Sequence, residues 1–136
     1  YALRDGKRET IFQFNPKLTI SNTAPDGGLF SYPAQFVPFL ETFLKNDGRI
    51  LSRSAVSEML KEQSTKWGLG WALEDGMFFH EGSSGTVAWA DPKSGVMGIL
   101  FTQFRNRDNS DAQLRTRFRQ AVMEAVTDKD TTRNLN

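Results

Sequence analysis

The stretch Phe79-His80-Glu81-Gly82-Ser83-Ser84-Gly85-Thr86 holds the chain's one histidine, beside a carboxylate and framed by glycines. Imidazole is the side chain that exchanges a proton near neutral pH. Glycine at a strand end lets a ligand approach the backbone. A substrate lying along this edge could hydrogen-bond the backbone around Gly82 and Ser83, and their N–H groups could face a developing oxyanion. The plainer alternative is a glycine-rich bend with a surface histidine, since a lone histidine seldom works in catalysis without a partner. Lys93-Ser94-Gly95 is another short polar pattern. It directly follows Asp91-Pro92, and turn chemistry accounts for it. Trp67, Trp71, Phe78, Phe79 and Trp89 could form a stacking wall for a ligand. Burial preference makes them core residues first, with Trp71 or Trp89 the exception nearest a cleft.

Composition removes several chemistries. With no cysteine, disulfide scaffolds, zinc-thiolate sites and Cys nucleophiles are excluded. A single histidine argues against a self-contained zinc site, and no cofactor or metal is called for. Seventeen Lys and Arg against sixteen Asp and Glu leave a net charge of +1, which gives no electrostatic footprint for nucleic acid or an acidic membrane. No apolar run approaches the ~18 residues of a membrane span. A chain of 136 residues, 38% hydrophobic and 24% charged, fits one globular domain. The start, Tyr1-Ala2-Leu3-Arg4-Asp5-Gly6, has neither an initiator Met nor a signal pattern, so the chain reads as beginning inside a longer one.

The elements that must position these residues follow from periodicity. Asp5-Gly6 predicts a hairpin turn between short extended pieces. Thr10-Ile11-Phe12-Gln13-Phe14 alternates like a strand, and Asn15-Pro16 and Ala24-Pro25-Asp26-Gly27-Gly28 read as loops. Ser31 as N-cap and Pro33 in the first turn open a helix carrying Phe36, Val37, Leu40, Phe43 and Leu44 on one face. Pro38 predicts a kink or a late start. Asn46-Asp47-Gly48 ends that helix. Ser52 or Ser54 caps a shorter one with Val56, Met59 and Leu60 inward. Lys66–Leu73, Met77–His80, Thr86–Ala90 and Val96–Gln103 read as four antiparallel strands with short connections. Arg105 to Ser110 is a polar loop. A last helix starts at Asp111, with Leu114, Phe118, Ala121, Val122, Ala125 and Val126 as its apolar stripe and Arg115, Arg117 and Arg119 mainly on the wet side. Residues 1–127 form one domain and 128–136 a frayed or disordered polar tail. The fold class is α+β: an antiparallel meander flanked by helices.

Five ordered pieces carry a family resemblance: Gly27-Gly28-Leu29-Phe30-Ser31 before the helix with Phe39-Leu40 and Gly48; Leu51-Ser52 before Val56 and Met59; Gly68-Leu69-Gly70-Trp71; Phe79-His80-x-Gly82-x-x-Gly85-Thr86; and Trp89-x-Asp91-Pro92-x-x-Gly95 with Leu100-Phe101-Thr102-Gln103. Over roughly residues 27–125 the chain resembles the C-terminal part of the β-lactamase-related serine hydrolases, which include class C-like β-lactamases, esterases, D-aminopeptidases and DD-carboxypeptidases. That family uses a Ser nucleophile in S-x-x-K, a Tyr in Y-x-N, and K-T-G or its H-x-G variant. His80-Glu81-Gly82 matches the H-x-G variant. The resemblance implies that His80 helps bind a substrate carboxylate or tunes the proton network, and that the Ser83 N–H is the second oxyanion donor. The usual variant has glycine after the histidine. Glu81 stands there instead and would bring an acidic side chain to the cleft, against an anionic substrate.

The other two motifs have no match. Ser57 has Lys61 four positions on, Ser64 has Lys66 two on, and neither Tyr1 nor Tyr32 has Asn two on. The resemblance therefore implies a C-terminal piece of a longer serine hydrolase acting on ester, amide or β-lactam substrates through an acyl-enzyme. The piece alone would be inactive, with its catalytic Ser, Lys and Tyr upstream. Its partners would be the small-molecule substrate, the missing N-terminal half and a second copy of itself. The family favours a periplasmic or extracellular location. Two other readings stand beside it: a non-catalytic binding or interaction domain of the same fold, and an unrelated α+β ligand-binding domain.

Overall fold

Paired extended segments and short turns organise the chain. The computed structural model describes residues 2–4, 7–9, 29–102 and 110–133. The strand expected over Thr10–Phe14, the loops at Asn15-Pro16 and Ala24–Gly28, and the polar loop from Arg105 to the last helix lie outside the described residues. Strand β1 (Ala2–Arg4) pairs antiparallel with β2 (Lys7–Glu9), Arg4 opposite Lys7, in the register that Asp5-Gly6 predicts.

Helix α1 spans Pro33–Lys45. Its N-cap is Tyr32, not Ser31; Tyr32 is extended and its side chain makes no capping hydrogen bond. Pro33 takes the first helical position, where a missing N–H costs nothing. The helix starts there and runs through Pro38, so the expected late start does not occur. An internal proline costs about 3 kcal/mol. Burial of Leu40 and Phe43 on the inner face returns roughly 1.5–3 kcal/mol each, enough to keep the helix. Asn46 closes it in the left-handed region, at φ 44°. Helix α2 (Arg53–Met59) opens at Ser52, whose Oγ accepts the Ala55 N–H at 3.1 Å.

Four strands form the main sheet in the order β3 (Ala72–Glu74), β4 (Met77–Glu81), β5 (Val87–Asp91) and β6 (Val96–Leu100), all antiparallel. The meander matches the expectation. The first strand does not: of Lys66–Leu73, only Ala72 and Leu73 are in it. Lys66 and Gly70 have positive φ, which breaks the extended run. The segment folds back instead. The Leu69 N–H donates to the Met59 carbonyl at 2.8 Å and the Gly68 N–H to the Trp71 carbonyl at 2.9 Å. A Cβ on Gly68 would collide with the Met59 carbonyl oxygen, so only glycine fits that approach.

Between β3 and β4, Asp75 (φ 52°) and Gly76 (φ 85°) form a two-residue turn with both central φ positive. This is the hairpin whose twist matches the strands it joins. Alternation then divides the sheet into two faces. Phe78, Ala88, Ala90, Met97 and Ile99 meet Leu40, Phe43, Val56 and Trp71 in the core. The small Ala88 and Ala90 let α1 lie close to the strands.

Helix α3 (Ser110–Arg133) covers the opposite face. It runs past Asp128, where the polar tail was expected to start. Its inward stripe is also turned by about one residue from the expected one. Arg115, Phe118, Arg119, Val122, Met123 and Val126 are half-buried, while Leu114, Ala121 and Ala125 are exposed. Arg115 and Arg119 are thus not on the wet side. Glu81 and Glu74 on the sheet draw them in, and their alkyl stems cover apolar surface. Among the described residues, no helix is long and apolar enough to cross a membrane.

Candidate functional site

Of the four residues predicted for the site, strand β4 places His80 and Glu81, and the bend after it places Gly82 and Ser83. Phe78 and His80 share the core face, with His80 opposite Ala88; Phe79 and Glu81 share the other, with Phe79 opposite Trp89. Phe78 is sealed, but His80, two residues further along, emerges at the exposed end of the sheet. Its ring stands edge-on to Trp67, centroids 5.9 Å apart and planes at 71°. Among the described residues, nothing hydrogen-bonds the imidazole, so both ring nitrogens are open to a ligand.

Beside His80 lies a cleft of about 410 Å³ between α1 and the β4–β5 end of the sheet. Phe36 and Phe39 come from α1, Leu69 and Trp71 from the folded-back segment, and Phe101 from just beyond β6. The rings touch in series: Phe101 to Phe36 at 5.9 Å, Phe36 to Phe39 at 5.2 Å and Phe39 to Trp71 at 6.2 Å, the last pair stacked. Trp71 is thus both buried and a cleft wall, one of the two tryptophans expected nearest a cleft. Trp89 is not: it lies on the far face, beneath α3 and over Gly98.

The Gly82–Gly85 bend closes one end of the cleft. The Gly82 N–H donates to the Thr86 carbonyl at 2.9 Å, and the Gly85 N–H to the Gly82 carbonyl at 3.1 Å. The Thr102 hydroxyl donates to the Ser84 carbonyl. A Cβ on Gly82 would strike Thr86 Oγ1. Gly82 is therefore glycine because Thr86 packs there, and its N–H is spent inside the bend. That removes it from the expected pair of oxyanion donors. Ser83 is exposed, and its N–H has no acceptor among the described residues. The N–H of Ser84, also exposed, is free in the same way.

Glu81 lines the cleft beside His80, but its carboxylate is paired. Alternation turns it to the other face, where Arg115 Nε lies 3.2 Å from its Oε1. The approach is too oblique for a hydrogen bond, so charge holds the pair. Arg115 is only 17% exposed, and this partial burial strengthens the attraction. Arg119 Nη1 donates to Glu74 Oε2 at 3.0 Å on the same face. Two cations and two carboxylates there cancel along a shallow groove. The acidic residue expected near the cleft thus stands at its wall, with its charge shared with Arg115.

Lys93-Ser94-Gly95 is a turn, as its position after Asp91-Pro92 indicates. Asp91 accepts the Lys93 N–H at 2.9 Å and the Ser94 hydroxyl at 2.7 Å, and Gly95 turns at φ 71°. The Ser94 hydroxyl holds the Asp91 carboxyl below its usual value, reinforced by the Lys93 and Ser94 N–H groups and the Lys93 charge, against a smaller effect of burial.

Phe36, Phe39 and Phe101 were not singled out from the sequence as ligand-facing. Phe39 carried the one usable signal: it falls off the stripe set by Phe36, Leu40 and Phe43, yet it is a large aromatic, and it is 45% exposed. The arrangement offers an apolar wall, one imidazole and, in the adjoining bend, the exposed Ser83 and Ser84 N–H groups. Among the described residues no serine lines the cleft; the Ser52 hydroxyl caps α2, Ser57 donates to the Arg53 carbonyl and Ser94 is bound to Asp91. Comparison with known protein families, curated proteins and solved structures gives no match for this chain.

Proposed function

We propose that this chain is the C-terminal wall of the active-site cleft of a β-lactamase-like serine hydrolase. The parent cleaves ester, amide or β-lactam bonds through a serine acyl-enzyme. The observation that supports this most is the His80-Glu81-Gly82 element at the open end of a meander strand, with an open imidazole on the cleft and the exposed Ser83 N–H in the adjoining bend. In this reading Ser83 donates to the oxyanion that forms as the serine attacks, and His80 orients the substrate or the proton network. Gly82 shapes the bend that presents Ser83. In this reading the nucleophile, its Lys and the Tyr come from sequence upstream of Tyr1, and the resemblance favours a periplasmic or extracellular parent.

Two measurements test the proposal. The 136-residue chain alone should not hydrolyse nitrocefin or p-nitrophenyl acetate above background. Serine-dependent turnover by the chain alone would overturn the division of labour. In the longer protein a fluorophosphonate should label one serine, and His80→Ala should lower kcat/KM by roughly 10–1000-fold, the scale of one lost polar contact in an active site. A longer protein with no S-x-x-K and no labelling is a binding domain of this fold instead.

A further inference from the structure

We infer that the His80 cleft takes an uncharged aryl or similarly flat apolar group of its ligand and selects against a carboxylate. On the hydrolase reading above, which this deepens, that group is the acyl or leaving side of a neutral aromatic ester or amide.

Three observations carry the inference. First, the volume of about 410 Å³ falls in the range of small-molecule pockets, and a bicyclic ring fits within it. Second, the walls are rings already spaced for aromatic contact, and Phe39 keeps nearly half its surface open while stacked on Trp71. An exposed ring set beside other rings costs apolar hydration that an aryl ligand would relieve. Third, no Lys or Arg side chain lines the cleft among the described residues. Arg115 and Arg119 lie on the opposite sheet face and are paired with Glu81 and Glu74. A carboxylate entering here would lose its water and meet no fixed cation, which is costly in an apolar site. A carbonyl or amide loses less and finds the His80 ring at the polar end.

The test uses the whole 136-residue chain with 2-naphthamide and 2-naphthoate as probes at pH 8, followed by NMR. Naphthamide should shift the Trp71 indole and His80 ring signals and leave Trp89, on the far face, unmoved. Naphthoate should bind at least about tenfold more weakly, one unpaid charge contact on the free-energy scale of tenfold per 1.4 kcal/mol. Phe39→Ala should weaken naphthamide by a similar factor. Leu69→Lys, at an exposed cleft position, should bring naphthoate to parity or better without disturbing the fold. Equal binding of the two probes to the unaltered chain would overturn the inference. So would an unchanged affinity in Phe39→Ala, or naphthoate left weak in a folded Leu69→Lys. Fluorophosphonate labelling of the longer protein reads the hydrolase proposal separately. No labelling with naphthamide still bound removes the hydrolase and keeps the aryl pocket; labelling without naphthamide binding does the reverse.

Discussion

Single side chains in this molecule are read by which sheet face they land on. His80 and Glu81 are neighbours in sequence and opposites in space, so the imidazole meets a cleft while the carboxylate meets Arg115. Asp91 shows the same economy in a turn, where one carboxylate organises Lys93, Ser94 and the step into β6. Its pKa is lowered in the folded chain, so the sign of its pH dependence is fixed. The stabilisation is fully present above the unfolded carboxyl value and is lost as pH falls through the lower folded value. Asp91→Ala should therefore cost about 1 kcal/mol at neutral pH, the scale of a hydrogen bond lost near the surface. The gap between the two proteins in urea midpoint should shrink below about pH 4, where the unfolded Asp starts to bind its proton. A gap that stays constant down to pH 2 would mean the carboxylate charge is not what holds the turn.

At the scale of elements, most of the meander was legible because its signals are local. Asp75-Gly76, Asp91-Pro92 and the glycines of 82–85 each mark a chain reversal, and the alternation between them fixes which residues face the core. The segment over Lys66–Leu73 was misread for a physical reason. Its large residues alternate as a strand's would, but Gly68 and Gly70 sit where the backbone must pass the Met59 carbonyl and turn at positive φ. Those glycines serve a contact with α2, and no pattern within the segment reports a distant carbonyl. Helix α3 was misphased for the complementary reason. Counting apolar residues gave one stripe; the acidic residues on β3 and β4 selected a neighbouring one that includes two arginines. Of the candidate site, the placing of His80 at a strand end beside a glycine bend was legible, while the aromatic wall was not, since it joins residues from α1, the segment before β3 and the exit of β6.

The packing of α3 gives a sharp element-level test at Gly98. A Cβ there would overlap the Trp89 indole ring, which is itself sealed between β5, β6 and α3. Gly98→Ala should cost about 1–3 kcal/mol, the usual penalty for overpacking, even though alanine favours neither loss of strand nor of charge. Near-UV circular dichroism should lose the Trp89 signal before the far-UV spectrum changes. Gly98→Ala with unaltered stability would show that the indole has room to move, and that α3 holds this face loosely.

At the scale of the whole molecule, the sheet is lopsided. Strand β3 is short and bordered by Trp67, whereas β6 offers five residues, Val96-Met97-Gly98-Ile99-Leu100, with no charge and no proline. Among the described residues β6 pairs only with β5, which leaves its other edge without a strand. Uncharged, unblunted edges recruit further strands. The sequence of β6 is also nearly symmetric about Gly98. Two copies joined antiparallel there would set Met97 against Ile99 on the core face and Val96 against Leu100 on the other, so both faces stay apolar across the junction. The chain should accordingly form dimers at micromolar concentration in sedimentation experiments, with the Val96–Leu100 amides protected from exchange. Val96→Lys, placing a charge at the edge, should shift it to monomer without unfolding it. In the proposed longer parent, an upstream strand takes that edge and the parent stays monomeric. A chain that is monomeric at every concentration, with those amides exchanging freely, would mean that nothing covers β6, and would argue against this sheet being part of a larger one.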